Sequence, residues 1–166
     1  ARVGREQVEQ WLYRPGLPDD APVPRSATLN AAARMAGAWA AGDLDLKEVS
    51  VADWSPHALI HFINSVPRNV GTDRMAELDA AFALSDTSNA EIARTWFIQV
   101  ANRRYTMAYP QLETHLARHG RGRLITPVYA ALAGNGADLE RAQAIFEAVR
   151  HNYHPLVDAA IARRLQ

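Results

Sequence analysis

The residues best suited to chemistry are two arginines at alternate positions of the run Gly120-Arg121-Gly122-Arg123-Leu124-Ile125-Thr126-Pro127. In an extended loop, residues i and i+2 point to one side, so Arg121 and Arg123 would converge on a single anion. Gly120 and Gly122 tolerate positive φ and would let a ligand approach the backbone closely. Thr126-Pro127 reads as an N-cap followed by proline at the first helical position, which adds the positive end of a helix dipole. This local chemistry admits phosphate, sulfate or carboxylate without choosing among them. A solvated basic turn fits the same residues.

Two histidine pairs have the i,i+4 spacing of zinc ligands on one helix face, His57/His61 and His115/His119. The protease motif H-E-x-x-H needs a glutamate directly after the first histidine, to act as general base. The first run is His57-Ala58-Leu59-Ile60-His61 and lacks that glutamate. Neither pair is followed by an acidic third ligand at helical spacing. Both are expected to be surface or half-buried histidines, and no metal site is assigned. The chain has no nucleophile elbow, Walker loop or dinucleotide fingerprint. Gly134-Asn135-Gly136 follows a helical pattern and reads as a turn. Trp11, Trp39, Trp54 and Trp96 fall at or near apolar helical positions and are expected in the core. Arg103-Arg104 and Arg163-Arg164 end helices, where cations suit the dipole.

These side chains must be positioned by helices. Every long segment has the 3.6-residue period and none alternates as a strand does. The first helix is predicted at Arg5 to Tyr13, stopped by Arg14-Pro15-Gly16-Leu17-Pro18. An extended proline-rich connector then runs to Pro24. Further helices are expected from about Thr28 to Ala41, from Ser55-Pro56 to the residue before Pro67, and from a Thr72 cap through Phe82. Ser88-Asn89-Ala90-Glu91 has the form of a capping box and opens a fifth helix carrying Ile92, Trp96 and Val100. The rest fall at Ala108 to His119, Pro127 to Ala133, about Asp138 to Asn152, and from Pro155 onward. Nine short helices with short turns predict an all-α fold, an irregular two-layer right-handed superhelix of armadillo or HEAT type. No repeat is visible residue by residue.

Composition limits the function classes. The 166 residues suit one domain with a sizeable core, and 48% apolar with 22% charged residues is ordinary globular composition. Eighteen basic and eighteen acidic residues leave no net field to draw in nucleic acid or an acidic membrane. The absence of cysteine excludes disulfides and thiolate zinc sites. No apolar run has the length of a membrane span, and the first residues have neither a signal-peptide core nor an initiator methionine. The chain is expected to be a fragment, cytoplasmic, with residues 1–24 as a junction helix and linker and residues 25–166 as a helical domain.

Several segments together resemble the C-terminal helical domain of the leukotriene A(4) hydrolase and zinc aminopeptidase family. Trp11-Leu12-Tyr13-Arg14-Pro15-Gly16-Leu17-Pro18 is similar to that family's junction between catalytic and helical domains. Asn89-Ala90-Glu91-Ile92, with Trp96 beyond, resembles its mid-domain helix start. Gly120-Arg121-Gly122-Arg123, with Pro127-Val128-Tyr129, resembles its G-R-x-K-x-x-x-P-x-Y/F segment, and His154-Pro155 also fits. The resemblance spans nearly the whole chain in order. It implies an upstream catalytic domain of the same polypeptide that holds the zinc and the general base. This chain would close the peptide cleft, grip the substrate's C-terminal carboxylate and perform no catalysis alone. By position Arg121 matches the family's carboxylate-binding arginine and Arg123 its partner lysine. Arg123 departs from that lysine, exchanging a compact ammonium for a planar fork. Thr126 departs where the family often has arginine. The alternative is a stand-alone helical-repeat scaffold that binds a protein partner.

Overall fold

The computed structural model describes residues 4–18, 21, 25–51 and 53–166. Among them are nine α-helices, three 3-10 turns and no strand, as the periodicity predicts. The helices are α1 (Arg5–Tyr13), α2 (Ala27–Ala41), α3 (Pro56–Ser65), α4 (Thr72–Phe82), α5 (Ala90–Arg103), α6 (Tyr109–Arg118), α7 (Gly122–Gly134), α8 (Leu139–Val149) and α9 (Pro155–Arg164). No helix among the described residues is long and apolar enough to cross a membrane. Residues 19, 20 and 22–24 of the predicted connector lie outside the described residues, so the proposed boundary at 24/25 falls there too.

Local chemistry sets most helix starts. Ser26 Oγ accepts from Leu29 N–H at 3.3 Å and Ser55 Oγ from Ala58 N–H at 3.2 Å, the latter ahead of Pro56 at the first helical position. His154 Nδ1 accepts from Leu156 N–H at 3.2 Å in front of Pro155. Two of the predicted starts move by one residue. Thr72 is the first residue of α4 and Gly71 its cap. The box predicted from Ser88 does not form. Asn89 is the cap instead, its Oδ1 accepting from the N–H groups of Glu91 and Ile92 at 3.0 and 3.3 Å. With Asn89 as the cap, Glu91 is the second helical residue rather than the third, and Asn89 N–H donates to Thr87 Oγ1 at 3.3 Å instead of to the glutamate. At the other ends, α2 stops at left-handed Gly42 (φ 89°), and α5 stops at Arg104, which takes φ 52°. The predicted eighth helix splits into α8 and a 3-10 turn at Arg150–Asn152.

Helices two apart in sequence pack side by side: α3 on α5, α5 on α7, α7 on α9, with α6 on α8 in a second layer. The first row runs parallel, as contacts between matching ends show. Arg103 at the end of α5 donates to the Val66 and Pro67 carbonyls at the end of α3, at 3.0 and 2.9 Å. Glu91 and Arg123 join the starts of α5 and α7, and Gly122 at the start of α7 faces Val157 at the start of α9. Small residues let α2 approach α3 closely, with Ala32, Ala36 and Ala58 fully buried beside Trp39 and Phe62. The core holds Trp39, Trp96, Phe97, Tyr129 and Phe146. Trp39 and Trp96 are buried as expected, and Trp54 is half-buried edge-on to Phe62. Trp11 departs from expectation: it is 45% exposed, on an α1 that buries none of its residues.

Candidate functional site

The site begins at the connection from α6 to α7, which is shorter than the sequence predicts. Helix α7 starts at Gly122, so Thr126 and Pro127 lie inside it and Arg121 is its N-cap. Pro127 carries no N–H for the Arg123 carbonyl one turn back. The turn ahead of it is held by Leu124 and Ile125, whose N–H groups donate to the Arg121 carbonyl at 2.8 and 3.3 Å. A proline normally marks a helix start, but packing against α5, α8 and α9 carries the helix one turn past it.

This changes the geometry of both arginines. Arg121 and Arg123 do not alternate along an extended loop, because Arg123 sits in the first turn of a helix that advances 100° per residue. Arg121 is exposed and, among the described residues, forms no ion pair. Arg123, with 63% of its side chain exposed, leans onto α5, where its Nη2 lies 3.0 Å from Glu91 Oε1. No side chain caps the start of α7 and no acidic residue lies in its first turn; with Leu124 and Ile125 N–H engaged by the Arg121 carbonyl, the N–H groups of Gly122 and Arg123 are the ones without a partner among the described residues. Both fixed cations and helix therefore favour negative charge at this end.

Neither glycine of the run has positive φ; among the described residues the left-handed glycines are Gly16, Gly42 and Gly136. Their role is close packing instead. A Cβ on Gly120 would meet the Asn152 carbonyl oxygen at 2.9 Å, and one on Gly122 would meet Val157 Cγ2 at 3.0 Å. The connection is thus pressed against the start of α9.

The second histidine pair supports the same connection from below. His115 is buried, contrary to expectation, with its Nε2 3.4 Å from the Leu124 carbonyl and its ring 5.3 Å from that of Phe97. Burial pushes its pKa down to about 4, with the Leu124 carbonyl opposing and His119 adding to the fall, so the ring is neutral and donates to the carbonyl. The His119 ring lies tilted against that of His115 with centroids 4.6 Å apart, its pKa lowered by burial and by Arg118. A neighbouring cluster fixes the depth of α7: Tyr153 O–H donates to the Leu116 carbonyl at 2.8 Å and lies 3.0 Å from the Tyr129 hydroxyl. Burial raises the pKa of both phenols.

Two residues of this site were not legible as such. Glu91 reads as a capping residue, and the sequence assigns Arg94 no role. The structure puts the Glu91 carboxylate between Arg123 and Arg94, whose Nε lies 3.3 Å away. The signal available was an acid and a base at i and i+3 on a helix whose cap was already filled by asparagine.

Among the described residues, no group of three His, Cys, Asp or Glu side chains is placed to hold a metal ion.

Known proteins match this architecture and sequence. The fold superposes on the native leukotriene A4 hydrolase of Saccharomyces cerevisiae with a TM-score of 0.78 and 21% identity, covering 95% of this chain and 29% of that one. The sequence is 26% identical over 162 residues to leucine aminopeptidase 2 of Pyricularia oryzae, and 28% identical over 179 residues to leucine aminopeptidase 2 of Vanderwaltozyma polyspora. Each match covers 95% of this chain and 26% of the relative. Human aminopeptidase B is 24% identical over 136 residues, covering 77% of this chain and 21% of the enzyme. The chain spans about a quarter of the length of these curated relatives. Residues 54–165, well over half the chain, match the family described as leukotriene A4 hydrolase, C-terminal, and the chain belongs to that family.

Proposed function

We propose that this chain is the C-terminal domain of a zinc-dependent aminopeptidase, in which it closes the peptide cleft of an upstream catalytic domain. Arg121 and Arg123 would hold the C-terminal carboxylate of a short peptide. The observation that carries the reading is a pair of exposed arginines on the uncapped start of α7. A guanidinium fork binds a carboxylate bidentately, and the free N–H groups of the helix add a second source of positive potential. A carboxylate off the end of α7 would meet Arg121 at the N-cap, and Arg123 would have to share or leave Glu91 to join it. The aminopeptidase names of the relatives support the peptidase context. Their alignment over nearly the whole of this chain argues against the stand-alone scaffold. Metal and general base would come from the upstream domain, so the chain alone neither hydrolyses peptides nor holds zinc tightly.

Gripping the far carboxylate would favour short peptides over long chains, since hydrolysis occurs at the other end. In an enzyme containing this domain, Arg121→Ala should cost about 1.5–3 kcal/mol of transition-state binding, the range of a charged hydrogen bond. The measurement is kcat/KM for a tripeptide and for its C-terminal amide, in wild type and variant. Selective loss with the free acid supports the role; equal loss with both substrates rejects it.

A further inference from the structure

We infer that Glu91 is an internal competitor for the bound carboxylate, occupying Arg123 in the absence of peptide and setting how tightly the site grips one. The inference rests on the carboxylate-binding reading of Arg121 and Arg123. Asn89 already caps α5 by accepting from Glu91 N–H and Ile92 N–H, at 3.0 and 3.3 Å, so the Glu91 side chain is not needed by its own helix end. It crosses to α7 instead, where Oε1 lies 3.0 Å from Arg123 Nη2. Its other oxygen lies 3.3 Å from Arg94 Nε, but that buried N–H has no hydrogen-bond partner, so the second contact is charge proximity without alignment. One carboxylate thus faces two guanidinium groups, while Arg121 forms no ion pair among the described residues.

Glu91 does two opposing things to an incoming carboxylate. It restricts Arg123, which otherwise would sample many rotamers on an exposed first turn. It also places a negative charge at the same fork, and a peptide carboxylate must displace it or bind beside it. Arg123 Nη2 is engaged while most of the side chain faces solvent, so the free edge of the fork remains open to the second carboxylate. Glutamine at this position can still accept from Arg123 and hold it, whereas the repulsion is gone. The net effect of Glu91→Gln is therefore tighter carboxylate binding.

The test uses the full chain, with N-acetyl-trialanine and its C-terminal amide as probes, followed through the arginine Nε–H signals in NMR at low salt. Glu91→Gln should bind the free acid about two- to fivefold more tightly, the range of one exposed ion pair, with no change for the amide. The gain should vanish when Arg123→Ala is added. Glu91→Asp keeps the charge at the start of α5 but is one methylene shorter; it should show a smaller gain of the same sign. If Glu91→Gln leaves acid binding unchanged or weaker while Arg121→Ala still reduces it, the competitor role is wrong and the carboxylate site stands. If wild type does not distinguish acid from amide, the carboxylate reading fails and the role of Glu91 fails with it.

Discussion

His115 makes the fold sensitive to acid. Its ordinary pKa of 6.5 falls to about 4 in the folded chain, mainly through burial. Between those values the unfolded chain holds the proton and the folded chain does not, so stability falls as pH drops from about 6.5 towards about 4. At pH 5 the loss is about 2 kcal/mol relative to neutral pH. Urea denaturation of wild type and His115→Leu at pH 7 and pH 5 measures it, and the variant should show a smaller pH difference. The two glycines before α7 give a second contrast. Gly120→Ala presses a Cβ against backbone at 2.9 Å and should cost about 1–3 kcal/mol. Gly122→Ala meets only a Val157 methyl at 3.0 Å and gains about 1 kcal/mol of helix propensity, so it should be near neutral. Thermal melts of the two variants will rank them.

Helix α7 shows where the sequence could be read and where it could not. The composition of Gly120–Pro127 places two arginines two residues apart, and the structure puts Arg121 at the N-cap and Arg123 in the first turn of one helix. The start of the helix was displaced by five residues, because Thr126-Pro127 has the local form of a cap and only contacts with α5, α8 and α9 reveal that the helix continues through it. Ser55-Pro56 has the same form and does start a helix, so the local pattern alone does not decide. The pairing of Glu91 with Arg123 joins residues thirty-two positions apart, and no spacing rule within one helix could supply it. The depth at which α7 packs is set by its Tyr129 and by Tyr153, which precedes α9. Tyr153 donates to the Leu116 carbonyl and accepts from Tyr129, so Tyr153→Phe leaves the Tyr129 hydroxyl buried without an acceptor and should cost about 1–3 kcal/mol. Tyr129→Phe removes only the donor and should cost less. Denaturant midpoints of the two variants test that order.

On the scale of the whole molecule, α1 stands apart from the core. It buries none of its residues and exposes Val8, Trp11, Leu12 and Tyr13, with Leu17 beyond it. A helix that buries none of its residues contributes little to folding, so deleting residues 1–18 should change unfolding free energy by less than about 0.5 kcal/mol. Chemical denaturation of the shortened chain provides the check. The parallel row α3, α5, α7, α9 has a different consequence. In such an array each helix depends on its flanking neighbours, and opening begins at the ends and moves inward. Among the described residues α9 has a neighbour in the row on one side, whereas α7 has one on either side. The helix that bears Arg121 and Arg123 is therefore guarded in time as well as in position: fraying consumes α9 before it reaches α7. Amide hydrogen exchange should accordingly be slower along α5 and α7 than along α9, leaving the arginines ordered through the fluctuations that loosen the end of the chain.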